Sequence, residues 1–226
     1  MADGAGEFIE TERKYEAAAR FALPDLAGLD GVAAVTGPQT YRLRAIYFDT
    51  ADFRLLAAKI TLRRRTGGTD AGWHLKLPAG VDSRREVHAP LGRGAGRVPG
   101  RLAELVAGWA GGQPLRPIAR LATTRRVRRL AGRDGEVLAE VADDLVVGSL
   151  PAPAQVAAGA GADGPGGSGL PEWREASRWR EIEIELVTGP RELLGPAGDR
   201  LRRAGAVPSA EASKLSRLLA SAPGAP

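Results

Sequence analysis

Charged residues recur at every second position in four separate stretches of the chain. They are Glu10, Glu12 and Lys14; Arg63 and Arg65; Arg84, Glu86 and His88; and Glu181, Glu183 and Glu185, with apolar residues such as Ile9, Leu62, Ile182, Ile184 and Leu186 between them. A β-strand sends residues i, i+2 and i+4 to one face, so each stretch predicts a strand with one apolar and one ionic face. The same reading places strands at 8–15, 40–49, 60–65, 73–77, 84–90, 118–130, 136–147 and 179–187, punctuated by Gly67-Gly68, Pro78, Gly80 and the turn at 132–135. Helical spacing is predicted at 16–21, until Pro24, and in a short helix within 50–58. It recurs at 101–109, at 191–204 with an interruption at Gly195 and Pro196, and at 210–220. Residues 148–171, rich in Ala, Gly and Pro, read as a mobile insertion in one domain spanning 1–220, and 221–226 as a tail or linker. No internal repeat is visible.

An antiparallel sheet with its charged face in water is the ordinary way to build such strands. The residue types point elsewhere. Glutamate and lysine are poor strand formers, and three glutamates on one face repel unless metal ions or arginines stand among them. A closed barrel lined by these faces would supply the arginines, and an ionic lining has to hold water, metal and an anionic ligand. Composition is compatible: 226 residues, 43% apolar and 26% charged, suit one domain with a real core. The net charge of +5 favours an anionic partner. Aromatic residues, at 5%, are too few for a nucleic-acid surface built on stacking, and the absence of cysteine excludes disulfides and thiolate metal sites and leaves an oxygen-ligand metal site possible. The N-terminus carries Asp3, Glu7, Glu10 and Glu12 and offers no signal peptide, and no spanning helix can be drawn. No membrane is therefore expected, and the cytoplasm is the expected compartment.

The order of motifs resembles a known family. Glu10-Thr-Glu12-Arg-Lys14 fits the ExExK signature of the CYTH superfamily, the triphosphate tunnel metalloenzymes. It is followed by Tyr47-Phe-Asp49-Thr50, Leu62-Arg-Arg-Arg65, Trp73-His-Leu-Lys76-Leu-Pro78, Arg84-Arg-Glu86, Glu181-Ile-Glu183-Ile-Glu185 and Ser213-Lys214. The resemblance runs from residue 8 to about 219. It implies an α+β fold, a closed antiparallel eight-stranded β-barrel with flanking helices and an ionic tunnel. It also implies Mg²⁺ or Mn²⁺ as cofactor and hydrolysis of a linear triphosphate or polyphosphate. The Gly67-Gly68 turn before Gly72-Trp73-His74 resembles most the modules that precede a CHAD domain, which either lies in a longer form of the protein or is absent. By that resemblance Lys14, Arg63, Arg65, Lys76, Arg84, Arg125 and Lys214 hold phosphate oxygens. Glu10, Glu12, Asp144, Glu181, Glu183 and Glu185 bind the cations, and Glu86 orients Arg84 or a metal-bound water, so that Glu10, Glu12, Glu86 and Glu183 form the catalytic set.

Several positions stay open in the sequence. Only one of Asp143 and Asp144 can face inward. Thr123 stands where the family often has a lysine, which Arg126 or Arg128 would replace in a shifted register. His74 shares a face with Lys76, whereas His88, near Pro90, reads as structural. The arginines at 125–129 fit a strand better than a nucleic-acid patch, the four tryptophans read as packing residues, and Asp49 as the shaper of a turn. The leading function is inorganic triphosphatase, releasing pyrophosphate and phosphate from tripolyphosphate. Thiamine or nucleoside triphosphatase, adenylyl cyclase and a non-catalytic polyphosphate-binding module are the alternatives.

Overall fold

The computed structural model describes residues 7–80, 83–92, 94, 96–153 and 170–221. Its strands are β1 (Glu7–Ala17), β2 (Ala34–Asp49), β3 (Thr61–Thr66), β4 (Gly72–Gly80), β5 (Ser83–Ala89), β6 (Arg116–Ala131), β7 (Val137–Pro151), β8 (Trp173–Leu186) and the two-residue β9 (Val207–Pro208). They are antiparallel neighbours in the order β5-β4-β3-β2-β6-β7-β8-β1, and β1 also pairs with β5, which closes eight strands into a barrel. β9 adds only to the end of β1. Closure leaves none of the eight long strands at an open edge.

The apolar faces point outward and are covered by helices. Ile182, Ile184, Val141 and Tyr15 pack beneath α3 (Leu194–Arg203) and the loop carrying Phe21, Leu26 and Leu29. Leu62, Trp73, Leu75 and Val87 pack beneath α1 (Arg54–Ala57) and α2 (Gly100–Ala110), which buries Leu102 and Val106 at a spacing of four. Asp49 caps the turn into α1, accepting from the backbone N–H groups of Thr50, Leu55 and Leu56 at 2.7, 2.9 and 2.9 Å. A fourth helix, α4 (Lys214–Ala220), lies against inward-facing residues: Leu215, Leu218 and Leu219 cluster with Ala45, Tyr47, Leu121, Val146 and Trp179 and plug one end of the barrel. Among the described residues no helix is long and apolar enough to cross a membrane.

Four expectations are corrected. Residues 16–21 form no helix, because Glu16 and Ala17 continue β1 opposite Glu181 and Arg180, and sheet pairing overrides their helical propensity. Gly195 and Pro196 do not interrupt α3, since both fall in its first turn, where a proline loses no hydrogen bond; the irregularity precedes them, as a 3₁₀ turn at Arg191–Leu193. Residues 148–151 do not belong to the expected insertion, since Gly148, Ser149, Leu150 and Pro151 pair with β8; the part of that expectation at 154–169 lies outside the described residues. Trp109 is not a packing residue, being 46% exposed.

Candidate functional site

Strand register fixes which side chains meet inside the barrel. Across β1 and β8, Glu12 lies opposite Glu185 and Lys14 opposite Glu183; across β7, Asp144 is opposite both Glu181 and Arg125. On the other wall Lys76 faces Glu86, Arg84 faces Glu10, and Arg63 lies between Tyr47 and His74. These pairings put Glu10, Glu12, Lys14, Arg63, Arg65, Lys76, Arg84, Glu86, Arg125, Asp144, Glu181, Glu183 and Glu185 on one face, the inner one. Lys214 joins them from the first turn of α4, where Ser213 caps the helix: its Oγ accepts from Ser216 N–H at 3.0 Å, and its own N–H donates to Ser216 Oγ at 3.1 Å.

One ionic cluster adjoins the plug. Lys214 Nζ is 2.5 Å from Glu181, 2.8 Å from Glu183 and 3.1 Å from Asp144. Arg125 donates twice to Asp144, at 2.9 and 2.7 Å, and once to Glu183 at 2.6 Å; Trp179 Nε1 donates to Glu181 at 2.6 Å. Lys14 joins Glu12 and lies 3.5 Å from Glu183. Burial alone would raise Glu183, but Lys214, Lys14 and Arg125 outweigh it and hold the carboxyl well below the usual range. Glu12 is lowered in the same way, its burial outweighed by Lys14 and Lys76. Glu181 and Glu185 are raised, first by burial. The Glu12–Glu185 and Glu16–Glu181 cross-strand pairs are like-charged, a costly arrangement without cations nearby.

The opposite wall is organised around Lys76 and Glu86. Lys76 is ion-paired with Glu10 and lies 3.5 Å from Glu86. Glu10 is pushed up to about 8 by burial and by its hydrogen bond with Glu86. Of the two roles that the resemblance implied for Glu86, orienting Arg84 or a metal-bound water, the first is not met: Glu86 faces His74 and His88, while Arg84 donates to the Ala212 carbonyl at 2.8 Å. Burial pushes His74 down to about 3 against the pull of Glu86, with Arg63 and Arg65 adding repulsion. Arg63 reaches the Tyr47 hydroxyl at 3.4 Å, and Arg65 pairs with Asp70. The Nε atoms of both arginines are buried without a hydrogen-bond partner.

Asp144 turns inward, whereas Asp143 turns outward and pairs with Arg180 at 2.8 Å. Thr123 lines the lumen opposite Leu43 and Val146 in the register, and Arg126 and Arg128, of the other parity, point outward and supply no substitute for a lysine there. Tyr47, Asp70 and Trp179 were not singled out for the site. Tyr47 and Trp179 carry the parity of their strands' ionic or inward residues, which was the available signal; Asp70 sits in a turn, where spacing says nothing.

The sequence profile of the CYTH domain family matches residues 9–219. The chain belongs to the CYTH domain family. This CYTH chain is 42% identical over 221 residues to two uncharacterized proteins of Mycobacterium tuberculosis, one from each of two strains, across 96% of its own length. It spans 41% of the length of those relatives. In fold it is similar to a candidate adenylate cyclase of Bacillus halodurans, with a TM-score of 0.60 and 18% identity over 94% of this chain and 98% of that one. CYTH proteins act on triphosphates and depend on metal ions, and here the ligand oxygens of Asp144, Glu181 and Glu183, all buried, lie within 4.8 Å of one another. Three hard carboxylate oxygens are the donor set that a small divalent cation takes.

Proposed function

We propose that this CYTH domain hydrolyses a linear triphosphate, with inorganic tripolyphosphate, released as pyrophosphate and phosphate, as its substrate. One observation carries the reading: a closed barrel in which seven of the eight long strands turn charged side chains inward, with β2 contributing Leu43, Ala45 and Tyr47 instead, and with most aliphatic packing on the outside and at one plugged end. Arg63, Arg65, Arg84 and Lys76 on one wall, and Lys14, Arg125 and Lys214 on the other, would grip phosphate oxygens from opposite sides. Arginine offers a planar fork and lysine a point charge. The buried, unpartnered Nε atoms of Arg63 and Arg65 are donors that a phosphate chain would satisfy.

Asp144, Glu181 and Glu183, with Glu10, Glu12 and Glu185 on the same face, would hold Mg²⁺ or Mn²⁺. When bound, such ions neutralise charge on phosphate oxygens and acidify an attacking water. The protein's own part is positional. Rigid β-ladders hold the cationic groups on opposing walls, so an extended chain of phosphates is kept straight along the lumen. Because α4 plugs one end, the chain enters from the other, which weighs against cyclisation of ATP, where the ribose hydroxyl must reach the reacting phosphate.

Phosphate release from tripolyphosphate, ATP and thiamine triphosphate, measured in parallel with Mg²⁺, with Mn²⁺ and with chelator, tests this. Metal-dependent turnover of tripolyphosphate well above the others is expected; preference for either organic triphosphate would overturn the substrate. Thr123, in a position where the family often has lysine, favours a second reading, a polyphosphate-binding module without turnover. Thermal stabilisation by tripolyphosphate with no phosphate release would select it.

A further inference from the structure

On the wall away from the acidic cluster lies a second set of ligand-type side chains, and two of its three donors are nitrogens. His74 on β4 is the register partner of His88 on β5, and Glu86 lies two residues before His88 on the same face. His74 Nδ1 is 2.7 Å from Glu86 Oε1, and His88 Nε2 is 3.0 Å from the same oxygen. The two imidazoles meet edge to face with centroids 4.1 Å apart. His74 and Glu86 are each 1% exposed.

The hydrogen-bond count at His74 does not close. Its Nε2 is 2.9 Å from the Asp70 carbonyl oxygen, which can only accept, so Nε2 carries the proton. A neutral imidazole has one N–H. Its Nδ1 therefore turns a lone pair toward a carboxylate oxygen at hydrogen-bond distance, in a site closed to water, where two facing acceptors are costly. A positive centre between them reconciles the contact: a proton, carried by His74 or by Glu86, or a metal ion. Burial and the neighbouring Arg63 and Arg65 oppose the proton. The same arginines weigh against a dication, but a dication gains three ligand bonds where a proton gains one hydrogen bond. A bond from the remote ring N–H to a backbone carbonyl is also how metal-ligating histidines are commonly held in tautomer and orientation.

We propose that His74 Nδ1, Glu86 Oε1 and His88 Nε2 form a binding site for a transition-metal ion of the Zn²⁺ type, separate from the carboxylate cluster. Two imidazoles and one carboxylate are a known three-ligand set for zinc, and imidazole donors select against Mg²⁺ and Ca²⁺. The three ligand atoms lie within 4.8 Å of one another. Tetrahedral ligands about 2.1 Å from zinc stand about 3.4 Å apart, so the contacts at 2.7 and 3.0 Å need to open by about 0.7 and about 0.4 Å. Bound metal would cross-link β4 to β5 and fix Glu86, whose other oxygen lies 3.5 Å from Lys76. The site thus braces one cation of the tunnel wall, and it stands whether or not the tunnel hydrolyses triphosphate.

Metal-stripped protein titrated with Co²⁺, the visible-absorbing substitute for Zn²⁺, in excess Mg²⁺ tests the proposal. One equivalent giving a ligand-field spectrum with nitrogen donors, displaced by Zn²⁺, is expected. His88→Asn, at a side chain 30% exposed, should keep the wild-type circular dichroism and weaken Co²⁺ binding by about 100-fold or more. Long-range ¹H–¹⁵N spectra should show a single protonated nitrogen on His74 and a shift of the other when Zn²⁺ is added. An unchanged Co²⁺ affinity in folded His88→Asn, or no spectrum with the wild type, would overturn the site. Two protonated ring nitrogens that Zn²⁺ leaves unmoved would overturn it equally, by assigning the contact to an imidazolium–carboxylate pair.

Discussion

Glu183 is the residue on which most of the ionic wall converges, with Lys214, Arg125 and Lys14 at 2.8, 2.6 and 3.5 Å. Replacing it with glutamine keeps the shape and deletes the charge that three buried cations share. Chemical denaturation of Glu183→Gln should therefore show a loss of about 3–5 kcal/mol, alongside a higher Mg²⁺ requirement. A variant as stable as wild type would mean that water already screens the cluster. Glu10 gives the pH dependence. Its folded value is raised from 4.5 to about 8, so on folding it takes up a proton between those values. Its contribution is full below about 4.5 and is lost as pH rises through 8. The metal-free protein should melt lower at pH 8.5 than at pH 5.5, and Glu10→Gln, which mimics the protonated form, should flatten that slope; an identical slope would remove Glu10 as its source. At this scale parity along a strand was legible in the sequence but partnership was not. Glu86 and Arg84 share a face, yet cross-strand register gives them different neighbours, which no spacing within β5 could reveal.

The elements divide the same way. The strands announced themselves because an alternating pattern sustained over five or more residues and closed by turn residues is a strong local signal. The helix expected at 16–21 failed because Glu16 finds partners in β8 and β9, and a short run of good helix formers has little cooperative strength of its own. The fourth helix was visible in Leu215, Leu218 and Leu219, but its destination was not. Gly148 records that destination: a Cβ there would lie 2.5 Å from Leu218 Cδ1 and 3.1 Å from the Trp179 ring. Since Leu218 is fully buried in the plug, it cannot swing away freely. Gly148→Ala should cost about 1–3 kcal/mol by overpacking and should change Trp179 fluorescence as α4 shifts. Unaltered melting and emission would show that α4 is seated more loosely than its contacts imply. In the sequence Gly148 looked like the start of an insertion, because a glycine required for close approach and a glycine in a loop are written with the same letter.

At the level of the whole barrel the named charges balance. Lys14, Arg63, Arg65, Lys76, Arg84, Arg125 and Lys214 face Glu10, Glu12, Glu86, Asp144, Glu181, Glu183 and Glu185, seven against seven when all are ionised, and Glu10, raised to about 8, holds its proton at neutral pH and leaves a small positive excess. So small an excess gives little net attraction for a bare polyanion, so tripolyphosphate is expected to bind with its divalent cations. At about 100 times its dissociation constant it should then stabilise the fold by about 2.7 kcal/mol, which for a domain of this size raises the melting temperature by roughly 5–11 °C. Orthophosphate or tripolyphosphate with chelator should do much less. Equal shifts with and without Mg²⁺ would show that the cationic side chains alone bind the chain.

By itself the sequence determined that these strands have two unlike faces, which residues share each face, and which family the order of motifs resembles. Those are properties of neighbours two to a few tens of residues apart, and a period of two is read directly from the chain. Tertiary structure alone decided that the ionic faces turn inward, through pairing of β1 with β5, that α4 closes one end, and that His88 meets Glu86 and His74. The reason is that sheet curvature, register and closure depend on contacts between distant segments, and alternation looks the same whichever face the barrel encloses.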